Sequence, residues 1–135
     1  MTYTEIIAVK LFGWEACEAP PIETHRNVRW YQKMGSREHL EYVGYRSDDA
    51  DICGTINRTV SWPNFADERL KWYWIRRMED VLAERGLGKT YAQHLVSSLG
   101  GLPHDDAFDQ VAVPCLRATA EQRVAACVKV LEEVQ

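Results

Sequence analysis

Apolar residues follow helix-start signals in three segments of this chain, and the first such segment begins at its N-terminus. Thr2 and Glu5 have capping-box spacing, in which each side chain accepts from the other residue's backbone N–H. The apolar run behind them stops at Gly13, which suits the position after a helix because glycine adopts positive φ without strain. The pattern predicts a short first helix.

A long helix is predicted over about residues 65–85, with Gly86 ending it. Pro63 and Asn64 favour a start there, because proline presets φ and the asparagine side chain accepts from free N–H groups. One face of this helix is expected to pack on a sheet, formed by Leu70, Trp74, Ile75, Met78, Val81 and Leu82. The opposite side carries Arg69, Tyr73, Arg76, Arg77 and Asp80, with Trp72 at the boundary.

The C-terminal segment predicts a third helix over about residues 120–134. Thr119 and Gln122 have the spacing of a second capping box. An apolar stripe at helical spacing should face the sheet, and it consists of Val124, Cys127, Val128, Leu131 and Val134.

Two segments rich in β-branched and aromatic residues, 28–32 and 40–45, predict a β-hairpin with its turn at 34–38. Residues 15–27 contain Pro20 and Pro21 and predict a loop. Residues 54–60 fit a strand or an extended loop, and residues 110–117 fit an edge strand because Pro114 interrupts them. The segment after Gly88 fits a helix or a strand, and we favour a strand.

Length and composition indicate a single domain over residues 1–135, with 46% hydrophobic residues and enough chain to bury a core. The net charge of -4 argues against non-specific nucleic-acid binding, which depends on clustered cations. The four cysteines are scattered without metal-ligand spacing, as expected of reduced thiols in the cytoplasm. We expect no signal peptide and no membrane span.

The order of a short helix, a hairpin, a long helix, strands and a last helix resembles small phage proteins described as phage ABA sandwich-domain proteins. The similar segments are IIAVKLFGW at 6–14, PNFADE at 63–68 and ATAEQRVAAC at 118–127, about a quarter of the chain. The resemblance implies an α/β (α+β) fold in three layers, with helices on both faces of an antiparallel or mixed sheet. It also implies a phage or prophage origin, and it brings no catalytic residue with it.

Each motif in the sequence that suggests a catalytic or metal site lacks a residue that the motif requires. Gly86, Gly88, Lys89 and Thr90 suggest a phosphate-binding loop, but Ala83 stands where that motif needs its first glycine. The acidic residues from Asp49 onward lack the later oxygen ligands of a calcium loop. We therefore expect no enzyme activity, no cofactor and no metal site.

Aromatic and basic residues occurring together favour a binding protein. We predict that a small anionic, nucleotide-derived ligand is bound and sequestered, since indoles stack on bases and cations bind phosphate. The predicted ligand residues are Trp30, Arg46, Arg58, Trp62 and Lys89. The competing interpretation is that Trp30 and Trp62 belong to the core.

A second hypothesis is direct inhibition of a host protein through Arg69, Tyr73, Arg76 and Arg77 on the long helix. A nucleotide-processing enzyme is the third and least favoured class. Clusters of this kind also predict a homo-oligomer, with a dimer as the first expectation, because self-complementary patches close about a two-fold axis.

Overall fold

A computed structural model of the chain describes residues 2–20, 28–34, 40–45, 54–55, 62–98 and 117–134. The chain divides into two compact units, Met1–Pro63 and Asn64–Gln135. Within the described residues the first unit contains one helix and four strands, and the second contains three helices. The fold class is therefore α+β, as predicted.

The first helix, α1, spans Tyr3–Lys10 and starts as its sequence indicates. Thr2 Oγ1 accepts from the Glu5 backbone N–H, and the Glu5 side chain accepts from Thr2 N at 3.1 Å. Both halves of the predicted capping box are present. Gly13 follows the helix with φ of 81°, a conformation in which other residues are strained.

The sheet of the first unit has the order β1-β2-β3-β4, with every neighbouring pair antiparallel. Its strands are β1 (Glu15–Cys17), β2 (Arg29–Met34), β3 (Leu40–Tyr45) and β4 (Gly54–Thr55). The predicted hairpin of β2 and β3 is confirmed, with Tyr31 opposite Val43. The prediction of a loop over residues 15–27 is wrong at its start, because β1 pairs with β2 there through backbone hydrogen bonds.

The core of this unit lies on one face of the hairpin. Tyr31, Val43 and Tyr45 project from that face and pack with Ala8 of α1 and with two tryptophans, Trp14 and Trp62. Trp30 directly precedes Tyr31 and is also buried. Since successive strand residues point to opposite faces, both faces of the sheet are covered at this position.

The long helix, α2, spans Lys71–Glu84, so the prediction that it begins near residue 65 is wrong. Asn64 does accept from backbone N–H groups as predicted, at 3.1 Å from Ala66 N and 3.0 Å from Asp67 N. These bonds close a turn ahead of the helix instead of capping it, because Asx side chains stabilise isolated turns by the same chemistry. The helix ends at Glu84, one residue before the predicted end, and Gly86 follows with φ of 75°.

Residues 88–98 form a helix, α3 (Gly88–Ser98), and the strand prediction is wrong. Tyr91, Leu95 and Val96 are buried, whereas the exposed residues Lys89, Gln93 and Ser97 recur every fourth position. That spacing belongs to a helix with one buried side. Residues 110–116 of the predicted strand at 110–117, and the residues after Thr55 in the predicted strand at 54–60, lie outside the described residues.

The last helix, α4 (Ala120–Glu133), begins with the predicted capping box of Thr119 and Gln122. It packs against α3 and α2 within the second unit, and His94 Nε2 of α3 lies 2.8 Å from Glu133 Oε1 of α4. Two predictions of buried faces are wrong at their ends, since Val134 and Leu70 are both about half exposed. Among the described residues, the larger buried side chains of the helical unit are those of Ile75, Met78, Leu82, Tyr91, Leu95, Val96, Val124, Cys127, Val128, Val130 and Leu131.

Candidate functional site

The first two turns of α2 expose large aromatic side chains to solvent. The exposed fraction is 60% for Tyr73 and 48% for Trp72, and Leu70 just before the helix is 44% exposed. Arg76 and Arg77 are exposed one turn further along. We call these five residues the α2 face. A concentration of exposed apolar and arginine side chains is the feature of a protein surface that most often indicates a contact site.

The two arginines of the α2 face are available for a partner. No carboxylate in the described part of the chain lies within ion-pair distance of Arg76 or Arg77. Tyr73 contacts Trp74 in an edge-on arrangement, with ring centroids 5.3 Å apart. Arg69, in the turn before the helix, has a side chain that is 91% exposed. The predicted partner-binding residues Arg69, Tyr73, Arg76 and Arg77 are therefore all at the surface.

The sequence of α2 departs from the rules that the other capped helices follow. Thr2 and Thr119 cap α1 and α4, and each of these helices has an acidic residue in its first turn. Leu70 at the start of α2 makes no side-chain capping bond, and the first turn of α2 has no acidic residue. Since such residues stabilise a helix, the start of α2 depends more on packing than the starts of α1 and α4 do.

A carboxylate on the inner side of α2 links this helix to α3 and α4. Glu79 Oε2 accepts from the Tyr91 hydroxyl of α3 at 2.7 Å and from Arg123 Nη1 of α4 at 2.8 Å. Burial raises the pKa of Tyr91 above its ordinary value, and the hydrogen bond to Glu79 raises that pKa further. The Arg123 guanidinium also lies 5.9 Å from the ring of Trp72. Three helices are thus joined immediately behind the α2 face.

Two of the predicted ligand residues are in the core instead of at the surface. Trp62 is 3% exposed, and its ring lies 5.2 Å from that of Trp14 and 5.3 Å from that of Tyr31, centroid to centroid. Trp30 is 5% exposed. Their rings are covered by protein, so the expectation that they offer stacking faces to a base is not supported by this arrangement. Their burial agrees with the competing interpretation, in which Trp30 and Trp62 belong to the core.

Of the other three predicted ligand residues, the structure describes Lys89. Lys89 is exposed on α3 of the second unit. Arg46 and Arg58 lie outside the described residues. The ligand site therefore stays a prediction.

No known family model, curated protein or solved structure matches the chain.

A polar cluster in the first unit was missed by sequence reasoning. Glu5 is fully buried, and its Oε2 accepts from the Tyr31 hydroxyl at 2.6 Å, while Oε1 accepts from Arg29 Nη2 and Thr2 N. Burial and this hydrogen bond both raise the pKa of Tyr31. The capping-box spacing revealed the role of Glu5 in α1, but nothing in it indicated the contact with β2. Because both carboxylate oxygens already accept hydrogen bonds from within the first unit, we interpret the cluster as structural.

The described residues contain neither a metal-binding cluster nor a membrane-spanning helix. No group of three or more His, Cys, Asp or Glu residues there is placed to hold a metal ion. None of the described helices is long and apolar enough to cross a membrane.

Proposed function

We propose that this protein acts by protein–protein contact, without catalysis, through the α2 face. The observation that carries the proposal is the exposure of Trp72 and Tyr73 beside Arg76 and Arg77. Tyrosine, tryptophan and arginine are the residues that contribute most binding free energy in protein interfaces. Their rings and guanidinium groups combine a large contact area with hydrogen-bonding atoms.

The rigidity behind the face supports the same function. Glu79 is held by donors from α3 and α4, so the helix that presents Tyr73 and the arginines belongs to a packed three-helix unit. A rigid contact surface loses little conformational entropy on association. An enzyme would need a nucleophile, base or metal set, whereas this function requires none of them.

Sequestration of a nucleotide-derived ligand is the less supported function. Of its five predicted residues, Trp30 and Trp62 are buried, and Arg46 and Arg58 lie outside the described residues. If the resemblance to phage ABA sandwich-domain proteins reflects common origin, the protein acts in the cytoplasm of the host cell. The three-layer arrangement of a single domain belongs to that same proposal.

Photo-crosslinking from the α2 face tests the proposal. A benzophenone amino acid in place of Tyr73 should give covalent adducts with another polypeptide on irradiation in cells. The same group in place of Tyr3 is the matched control, because Tyr3 is a 53% exposed tyrosine at the start of α1 in the first unit. Adducts that form at position 73 and not at position 3 would support contact through the α2 face.

Equal adduct patterns at both positions, or no adduct at position 73, would contradict the proposal. A nucleotide that raises the melting temperature of the wild type and is recovered intact after denaturation would favour sequestration instead.

A further inference from the structure

The exposed residues of α2 change charge along the helix. Tyr73, Arg76 and Arg77 are followed by Asp80 and Glu84, and all five are exposed. Their spacing of three and four residues places them on one continuous strip of the helix surface. The strip is basic towards its N-terminal end and acidic towards its C-terminal end, with equal numbers of arginine and carboxylate groups.

We infer that the partner of the α2 face is a second copy of this chain, with the two α2 helices packed antiparallel about a two-fold axis. This inference rests on the proposed function and names the partner. An axis crossing the helix midway between Arg77 and Asp80 sets Arg77 opposite Asp80 of the second copy. The same axis sets Tyr73 opposite Glu84 of the second copy, where the phenol can donate to the carboxylate. Each pair occurs twice, because a two-fold interface repeats every contact.

The change from basic to acidic residues along α2 favours a second copy of the chain over a partner that carries charge of one sign. A phosphate backbone or a small polyanion would be attracted to Arg76 and Arg77 but repelled by Asp80 and Glu84 on the same strip. An antiparallel copy presents acidic residues where this copy is basic, and basic residues where it is acidic. Complementary charge also fixes the register of two helices. Tyr73 and Trp72 then supply the apolar area of the contact.

Reciprocal charge reversal tests the pairing of position 77 with position 80. The wild type should sediment at twice 15.5 kDa at high concentration. R77E alone and D80R alone should each raise the dimer dissociation constant by about tenfold or more, because each creates two like-charge contacts. The double variant R77E/D80R should restore dimerisation, since both contacts again join opposite charges.

Mixing the two single variants provides an independent measurement. R77E with D80R should form a heterodimer although neither associates with itself, because both of its cross-contacts are complementary. K129E is the matched control, a charge reversal at an exposed site on α4, and it should leave the dimer unchanged. Circular dichroism should show the same helical content in all variants.

A monomeric wild type at every concentration, or a dimer indifferent to R77E and D80R, would overturn this inference. So would a double variant and a mixture that both stay monomeric with native helical content. The photo-crosslink at position 73 separates this failure from failure of the proposed function. Adducts only with other proteins leave contact through the α2 face standing and remove the second copy as partner.

Discussion

The indole of Trp30 lies directly over the backbone of Gly44, its cross-strand partner in the hairpin. A Cβ atom added at Gly44 would come within 2.9 Å of two ring carbons, Cζ2 and Cη2. Real Cβ atoms do not approach other heavy atoms so closely, and Trp30 is held in the core. The absence of a side chain at Gly44 therefore provides the space in which the Trp30 indole packs against the sheet.

Gly44→Ala should destabilise the protein by about 1 to 3 kcal/mol, the usual cost of overpacking a core. Chemical denaturation of the wild type and the variant would measure it. Trp30→Phe removes the carbon atoms that clash, so the double variant should lose less stability than the sum of the two single changes. Strict additivity would show that the two residues are not coupled.

Glu5→Ala should lower the free energy of unfolding by about 2 to 4 kcal/mol, because the Tyr31 hydroxyl and Thr2 N lose their acceptor. Tyr31→Phe removes one donor and should cost about 1 kcal/mol. Glu15→Ala, at an exposed position of β1, is the control and should change stability by less than about 0.5 kcal/mol. Equal effects of E5A and E15A in urea unfolding would show that the buried cluster contributes nothing.

Two leucines at the ends of the same helical pattern should respond oppositely to truncation. Leu82 is fully buried and Leu70 is 44% exposed. Leu82→Ala should cost about 2 to 5 kcal/mol through lost burial and a residual cavity, and Leu70→Ala under about 0.5 kcal/mol. Thermal denaturation of the pair would check the assignment of buried and exposed sides of α2, which similar losses would disprove.

Stability should fall as the pH rises above 9 because of Cys127. Burial raises the pKa of this thiol from 9.0 to about 12 in the folded protein, with a further contribution from Glu79. Between these values the unfolded chain releases a proton that the folded protein retains. The free energy of unfolding should therefore decrease by about 1.4 kcal/mol per pH unit from this group alone.

Cys127→Ala removes that slope while lowering stability at all pH values through the cavity it creates. Denaturation series at pH 9 to 11 should show a steeper decline for the wild type than for the variant. Parallel curves would contradict a retained proton on Cys127.

The elements that the sequence predicts well are those fixed by neighbouring residues. The capping boxes at Thr2 and Thr119 need only a partner three residues away. The segment of α3 was misassigned because a short apolar run fits helix and strand alike until the exposed positions are known. Strand β1 has three residues and is created by backbone pairing with β2, which leaves little trace in its side chains.

The candidate site likewise contains residues whose exposure is predicted by local sequence and residues whose burial is not. Exposure of Tyr73, Arg76 and Arg77 follows from helical periodicity and was predicted. Burial of both Trp30 and Tyr31 breaks the alternation of a strand, because it depends on what covers each face of the sheet. Composition alone cannot distinguish a core tryptophan from a stacking one.

The anchoring of Glu79 by α3 and α4 has a kinetic consequence. Since the helix is in place before any encounter, association needs neither folding of a segment nor selection of a rare conformer. Docking of rigid surfaces proceeds at about 10⁵ to 10⁷ M⁻¹ s⁻¹, limited by mutual orientation. Substitutions at Trp72 or Tyr73 should therefore change the lifetime of the proposed complex, while added salt should slow its formation by screening the arginines.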